Sequence, residues 1–218
     1  MNDKLKDLDC RYFAGPVALE KREGGDEEQY PNIAGYGAVF YNPEDAGTEF
    51  RIYEDYVERI MPGAFSRALK DGDDCRCFFN HDQNYILGRT VAGTLKLSQD
   101  AKGLRYEVDP PENQVGKYVT QAVGRGDVSG SSFMFIVDEA NTREERRGDV
   151  MVYVREIQSV TLFEVGPVVF PAYPSATAQL SSRSMAALQE FRSRHSGPKP
   201  TPYLDAVRAI RSAMATQR

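Results

Sequence analysis

The chain has 218 residues, 41% hydrophobic and 27% charged, with a formal net charge of -5, which suits one ordinary domain with tails. An acidic balance argues against nucleic acid as the main partner, because duplex binding calls for a basic excess that neutralises phosphates. No apolar run approaches the roughly 18 residues of a membrane-spanning helix, and Cys10, Cys75 and Cys77 behind a polar leader (MNDKLKDLDC) make no disulfide framework.

Residues 1 to about 30 are polar, ending in EKREGGDEEQYPN, and are expected to form a loosely ordered arm. The core then reads mainly as strands. Ile33–Tyr41 (IAGYGAVFY) is rich in small, aromatic and β-branched residues and is followed by turn residues. Phe50–Ile60 reads as one extended stretch, Gly63–Lys70 as a short helix, and Cys75–Asn80 (CRCFFN) as a short buried strand. Thr90–Ser98 and Leu104–Val108 flank QDAKG as a hairpin.

Between Glu112 and Val123, Val115, Tyr118, Val119 and Ala122 fall at helical spacing, with Gly124 and Gly126 as the stop. Ser132–Val137, Met151–Ile157 and Val160–Phe170 read as strands, and DEANTREERRGD as a charged hairpin loop. A boundary is placed near Leu180. Beyond it comes a Ser-, Arg- and Pro-rich tail with a short terminal helix over Leu204–Ala215. The order predicts an α+β fold: a mostly antiparallel β-barrel with a few surrounding helices.

Chemistry is narrowed by histidine. His195 lies in the tail, which cannot hold an imidazole in register. His81, in FFNHDQNYILGR, stands just after a buried strand, fixed at its base and open at its tip, where a general base belongs. A hydroxyl nucleophile is offered by RGDVSGSSFMF, where small neighbours let a substrate backbone approach. Taken alone, that segment reads more readily as a Ser/Gly turn opening a strand, because such turns are common. A serine hydroxyl needs a base within about 3 Å, so the reading depends on His81 reaching this cluster.

The ordered set FFNHD, LGRT, GTLKL, KGLRYEV, RGDVSGSSFMF and VTLFEVGPVVFPAYPSA, with IMPGAF upstream, resembles the prohead protease family of tailed bacteriophages over about residues 33–180. The resemblance implies a serine endopeptidase with a fold similar to the herpesvirus assemblins. It implies action inside an immature capsid on scaffold or capsid segments, often with self-cleavage, and no cofactor. The histidine of the family's N-H-D element falls on His81. The serine of its S-G-x-S-F element falls on Ser132, with Ser131 the alternative and Ser129 a third choice. Assemblins complete their site with a second histidine, which the core here lacks. Glu164 matches the glutamate of the family's E-V-S element, Gly166 replacing its serine, and Asp82 and Asp127 are fallbacks. The arginine near the oxyanion in assemblins would be Arg125 or Arg89.

Two rivals follow from the same residues. Cys75, Cys77, His81 and Asp82 crowd together as zinc ligands would, but C-x-C is not zinc spacing and no second pair exists. A non-enzymatic capsid-assembly or scaffolding module is the other. For the enzyme reading, the expected partners are the major capsid or scaffold protein and further copies of the chain, as a dimer or higher assembly, without nucleic acid or membrane. The expected place is the host cytoplasm, inside the assembling prohead. Activity is expected to fall as acid protonates His81 near the ordinary histidine pKa of about 6.5.

Overall fold

Two long strands form the backbone of the molecule in the computed structural model, which describes residues 8–22, 31–170 and 178–195. They are β10 (Gly130–Arg147) and β11 (Val150–Val168), an antiparallel hairpin that turns only at Gly148–Asp149. The segment expected as a charged loop, and the two strands expected after it, are thus one ladder. Its exposed charges pair across the strands instead of leaving them. Gly130–Phe133 is buried throughout, and beyond it buried Phe135 and Val137 alternate with partly buried Met134 and Ile136.

The described residues fall into two units, one through Ser184 and one from Met185. In the first, the earlier strands are β1 (Asp9–Phe13), β2 (Ala18–Glu20), β3 (Asn32–Val39), β4 (Glu49–Tyr53), β5 (Tyr56–Ile60), β6 (Arg76–Phe79), β7 (Asp82–Arg89), β8 (Leu95–Gln99) and β9 (Gly103–Val108). A two-residue strand, β12 (Ala178–Gln179), follows β11. The larger sheet runs β12-β1-β10-β11-β5-β4, and the smaller β2-β3-β9-β8. Beyond β5, β11 is joined in parallel by β6 at Glu164↔Arg76, and β6 carries β7. Ile33, Leu104, Tyr106 and Val108 of the smaller sheet share one core with Phe133, Phe135, Leu162 and Val165 of the larger. Each large side chain buried there is worth roughly 1.5–3 kcal/mol.

Several expectations change. The α+β class holds, but the strand pairing does not close into a barrel: β12 and β4 end one sheet, β2 and β8 the other. Closure needs a continuous stagger around the ring, whereas β5 and β6 take the same side of β11 in succession. The stretch Phe50–Ile60 is a hairpin, broken at Glu54–Asp55. Asp82–Arg89 forms a strand that its polar residues concealed, and Thr90–Ala92 is a 3-10 turn. The polar arm contains β1, with Asp9, Cys10 and Arg11 buried, and β2.

Helix α1 (Ser66–Asp71) is short. Helix α2 (Gln114–Arg125) is capped by Asn113, whose side chain accepts from the Gly116 N–H at 3.0 Å, and it stops at Gly126, φ 80°. Val119, Ala122 and Val123 form its buried face, while Tyr118 is exposed. Helix α3 (Ser182–His195) begins in the first unit and is the described part of the second. The helix expected at Leu204–Ala215 lies outside the described residues.

Candidate active site

The imidazole is positioned by a tight turn. Asn80 and His81, between β6 and β7, have φ of 55° and 60°, the left-handed region that non-glycine residues seldom occupy. Such a conformation persists where its surroundings over-determine it. Here the Asn80 N–H donates to the Pro167 carbonyl at 3.1 Å, and its Oδ1 accepts from the Val169 N–H at 2.9 Å. The turn is therefore fastened to the end of β11. The β6 backbone crosses close by: a Cβ on Gly166 would stand 2.2 Å from the Phe78 carbonyl oxygen. Any side chain at this position would collide with the β6 main chain.

Strand alternation separates the two serine candidates. Ser132 lies opposite Gly166 on β11 and Tyr12 on β1. Ser131 faces the other way, within 3.0 Å of the Tyr106 hydroxyl in the core between the sheets. Glu164, opposite Met134, lies on the Ser132 face. It meets His81 directly: Nδ1 and Oε1 are 2.9 Å apart, with the glutamate side chain 5% exposed and the histidine 15%. A buried carboxylate in that place fixes the ring's tautomer and favours its protonated form.

The other ring nitrogen does not meet Ser132. Between them stands Cys10, a residue that sequence reasoning left in a loose arm. Its Sγ is 3.6 Å from His81 Nε2 and 3.3 Å from Ser132 Oγ. The Ser132 hydroxyl donates to the main-chain carbonyl of Arg11 at 2.9 Å, and Ser132 is fully buried. The Tyr12 ring packs edge-on against His81, centroids 5.6 Å apart. The signal for this strand was present in LDCRYF, where apolar Leu8, Cys10 and Tyr12 alternate with Asp9 and Arg11.

Burial works against a charged His81, but its contacts with Cys10 and Glu164, and the glutamate charge, outweigh that and push its pKa up to about 10. Burial, reinforced by the Glu164 charge, raises the Cys75 and Cys77 thiols, which stay protonated. Tyr12 is likewise raised, first by burial.

The remaining candidates have other partners. Arg89 holds Asp74, with Nε and Nη2 each at 2.7 Å, and exposed Arg125 pairs with Asp127 at 3.0 Å. Asp82 accepts from the Asn84 N–H two residues on, within β7, and Ser129 is exposed. The structure thus brings together His81 and Glu164 around the Ser132 face. It gives Arg89, Arg125, Asp82 and Asp127 contacts away from that cluster.

A family model described as caudovirus prohead serine protease matches residues 17–191. No curated protein and no solved structure matches the chain.

Proposed function

The chain belongs to the caudovirus prohead serine protease family, and on that footing we propose that it is the endopeptidase of capsid maturation, with Ser132 as nucleophile, His81 as general base and Glu164 as the group that orients the imidazole. The observation that carries the roles is the 2.9 Å contact between His81 and Glu164 on the face of the sheet that Ser132 shares. In the productive arrangement, His81 takes the Ser132 proton as the oxygen attacks a peptide carbonyl. Main-chain amides hold the oxyanion, and the imidazolium protonates the leaving amine. Water then repeats the sequence on the acyl-enzyme.

The proposed substrates are the scaffold or the scaffolding segment of the capsid protein, and the chain itself, cut inside the assembling prohead, where the enzyme works as a dimer or higher assembly. A relation to the assemblins is part of the proposal at the level of mechanism, with glutamate in place of their second histidine. A second reading, a capsid-assembly module without activity, draws on Cys10 standing between serine and imidazole. Co-expression with the phage's own capsid and scaffold proteins separates the two. The enzyme reading expects those proteins to be shortened by the wild type and left intact by Ser132→Ala. Intact proteins in both cases would favour the assembly module, and cutting by both would remove Ser132 from the mechanism.

A further inference from the structure

A serine protease commonly reads its substrate as an extended strand laid along the edge that carries the nucleophile, because main-chain pairing presents the carbonyl in register. Here that edge belongs to β10, and it is taken. β1 pairs with it antiparallel over five positions, from Asp9↔Phe135 to Phe13↔Ser131, with Tyr12 opposite Ser132. We propose that β1 is an internal competitor of the substrate, occupying the strand position beside Ser132 and leaving it before cleavage. The proposal rests on Ser132 being the nucleophile.

Three observations carry it. The Ser132 hydroxyl is bonded to the Arg11 carbonyl, a main-chain carbonyl of the sort a substrate would present. The strand's own Cys10 Sγ lies 3.3 Å from Ser132 Oγ and 3.6 Å from His81 Nε2, in the place through which the base would meet the hydroxyl. Ser132 is wholly buried, so no second peptide reaches it while β1 is in place.

The latch that holds β1 is built from separable parts. Arg11 donates from Nε to Glu58 Oε2 at 2.7 Å, in a fully buried pair that Arg155 also joins. Asp9 accepts from the Ser181 N–H at 2.8 Å and the Ser184 hydroxyl at 2.6 Å. β12 pairs with Cys10 and Arg11 on the outer side. A substrate strand can replace the main-chain bonds that β1 makes to β10, so the remaining cost falls on this latch, on Cys10 and on the Arg11–Phe135 and Tyr12–His81 ring contacts. Departure of Cys10 also removes one of the contacts that keep His81 protonated.

A reversible lock tests this on the full chain. Phe13→Cys with Ser131→Cys places two thiols at opposed positions of the ladder. Labelling by a fluorophosphonate is followed by mass spectrometry, with the adduct mapped. The oxidised lock is expected to label at Ser132 at least tenfold more slowly than the reduced form, while the wild type is unchanged by the same oxidation. Equal rates in the two forms would overturn the proposal and leave Ser132 as nucleophile. Absence of a Ser132 adduct in either form would overturn the nucleophile assignment itself.

Discussion

The two ends of the β10–β11 hairpin are made of the same two strands and held by different physics. At the Ser132 end, Phe133, Phe135, Leu162 and Val165 are buried at 2% exposure or less, and the polar groups are Ser132, Glu164 and their partners. At the far end, Arg143 pairs with Glu156 of β11 at 3.0 Å, and Arg147 reaches Glu49 of β4 and Glu145 on its own strand. Arg59, over the Tyr41 ring, joins the same group through Glu49 and Glu145. The buried end tolerates little change in shape and charge. Apart from the buried Arg59, the far end spreads its charges over partners nearer water, where an exposed pair contributes roughly 0–1 kcal/mol. The comparison teaches where function can sit: a fixed carboxylate–imidazole pair needs the rigid, dry end.

The largest effect should come from Ser132→Ala, with cleavage lost and the fold kept, because the change removes only the hydroxyl's contacts with the Arg11 carbonyl and Cys10, a loss of roughly 1–3 kcal/mol. Residual cleavage near wild-type rates would break the assignment of chemistry to this end. Glu164→Gln should lower turnover on the order of 10³- to 10⁴-fold by losing control of the imidazole, and should lower the thermal midpoint at neutral pH because His81 loses its buried counter-charge. Phe133→Ala should cost roughly 3–5 kcal/mol in denaturant unfolding, since its ring is stacked on Phe135 at 4.6 Å and buried.

A titration sharpens the comparison further. With β1 in place, the folded state holds the His81 proton up to about pH 10, whereas the unfolded chain releases it near 6.5. The stabilisation is therefore complete below about pH 6.5 and lost as pH rises through about 10. Denaturant midpoints at several pH values should fall across that window, and Glu164→Gln should flatten the fall. A wild-type profile with no such decline would remove the buried ion pair from the account. The sequence-based expectation of a base titrating near 6.5 does not hold in this arrangement, where the Cys10 and Glu164 contacts outweigh burial and hold His81 at about 10. The smallest effect belongs to the far end, where Arg143→Ala should change stability by less than about 1 kcal/mol and leave cleavage as it was.

Much of this architecture was legible in residue patterns, for identifiable reasons. Ile33–Tyr41, Leu104–Val108 and the Gln114–Arg125 helix announce themselves through periodicity and stop signals. The grouping of His81 with Glu164 came from the family resemblance, because side chains 83 positions apart leave no local trace of their contact. What stayed hidden was β1. Asp9 and Arg11 look like surface charges until their partners, Ser181, Ser184 and Glu58, are brought in from far along the chain. The outer half of β10 was hidden for the opposite reason: TREERR is polar on both faces, and only pairing with β11 and Glu49 makes it a strand.

The central claim is that strand alternation turns Ser132 toward the imidazole and its neighbour Ser131 into the core. Cleavage of the co-expressed capsid and scaffold proteins by Ser131→Ala and Ser132→Ala, measured side by side, tests it most directly. The account predicts fragments with the first variant and none with the second. Fragments with Ser132→Ala and none with Ser131→Ala would contradict it.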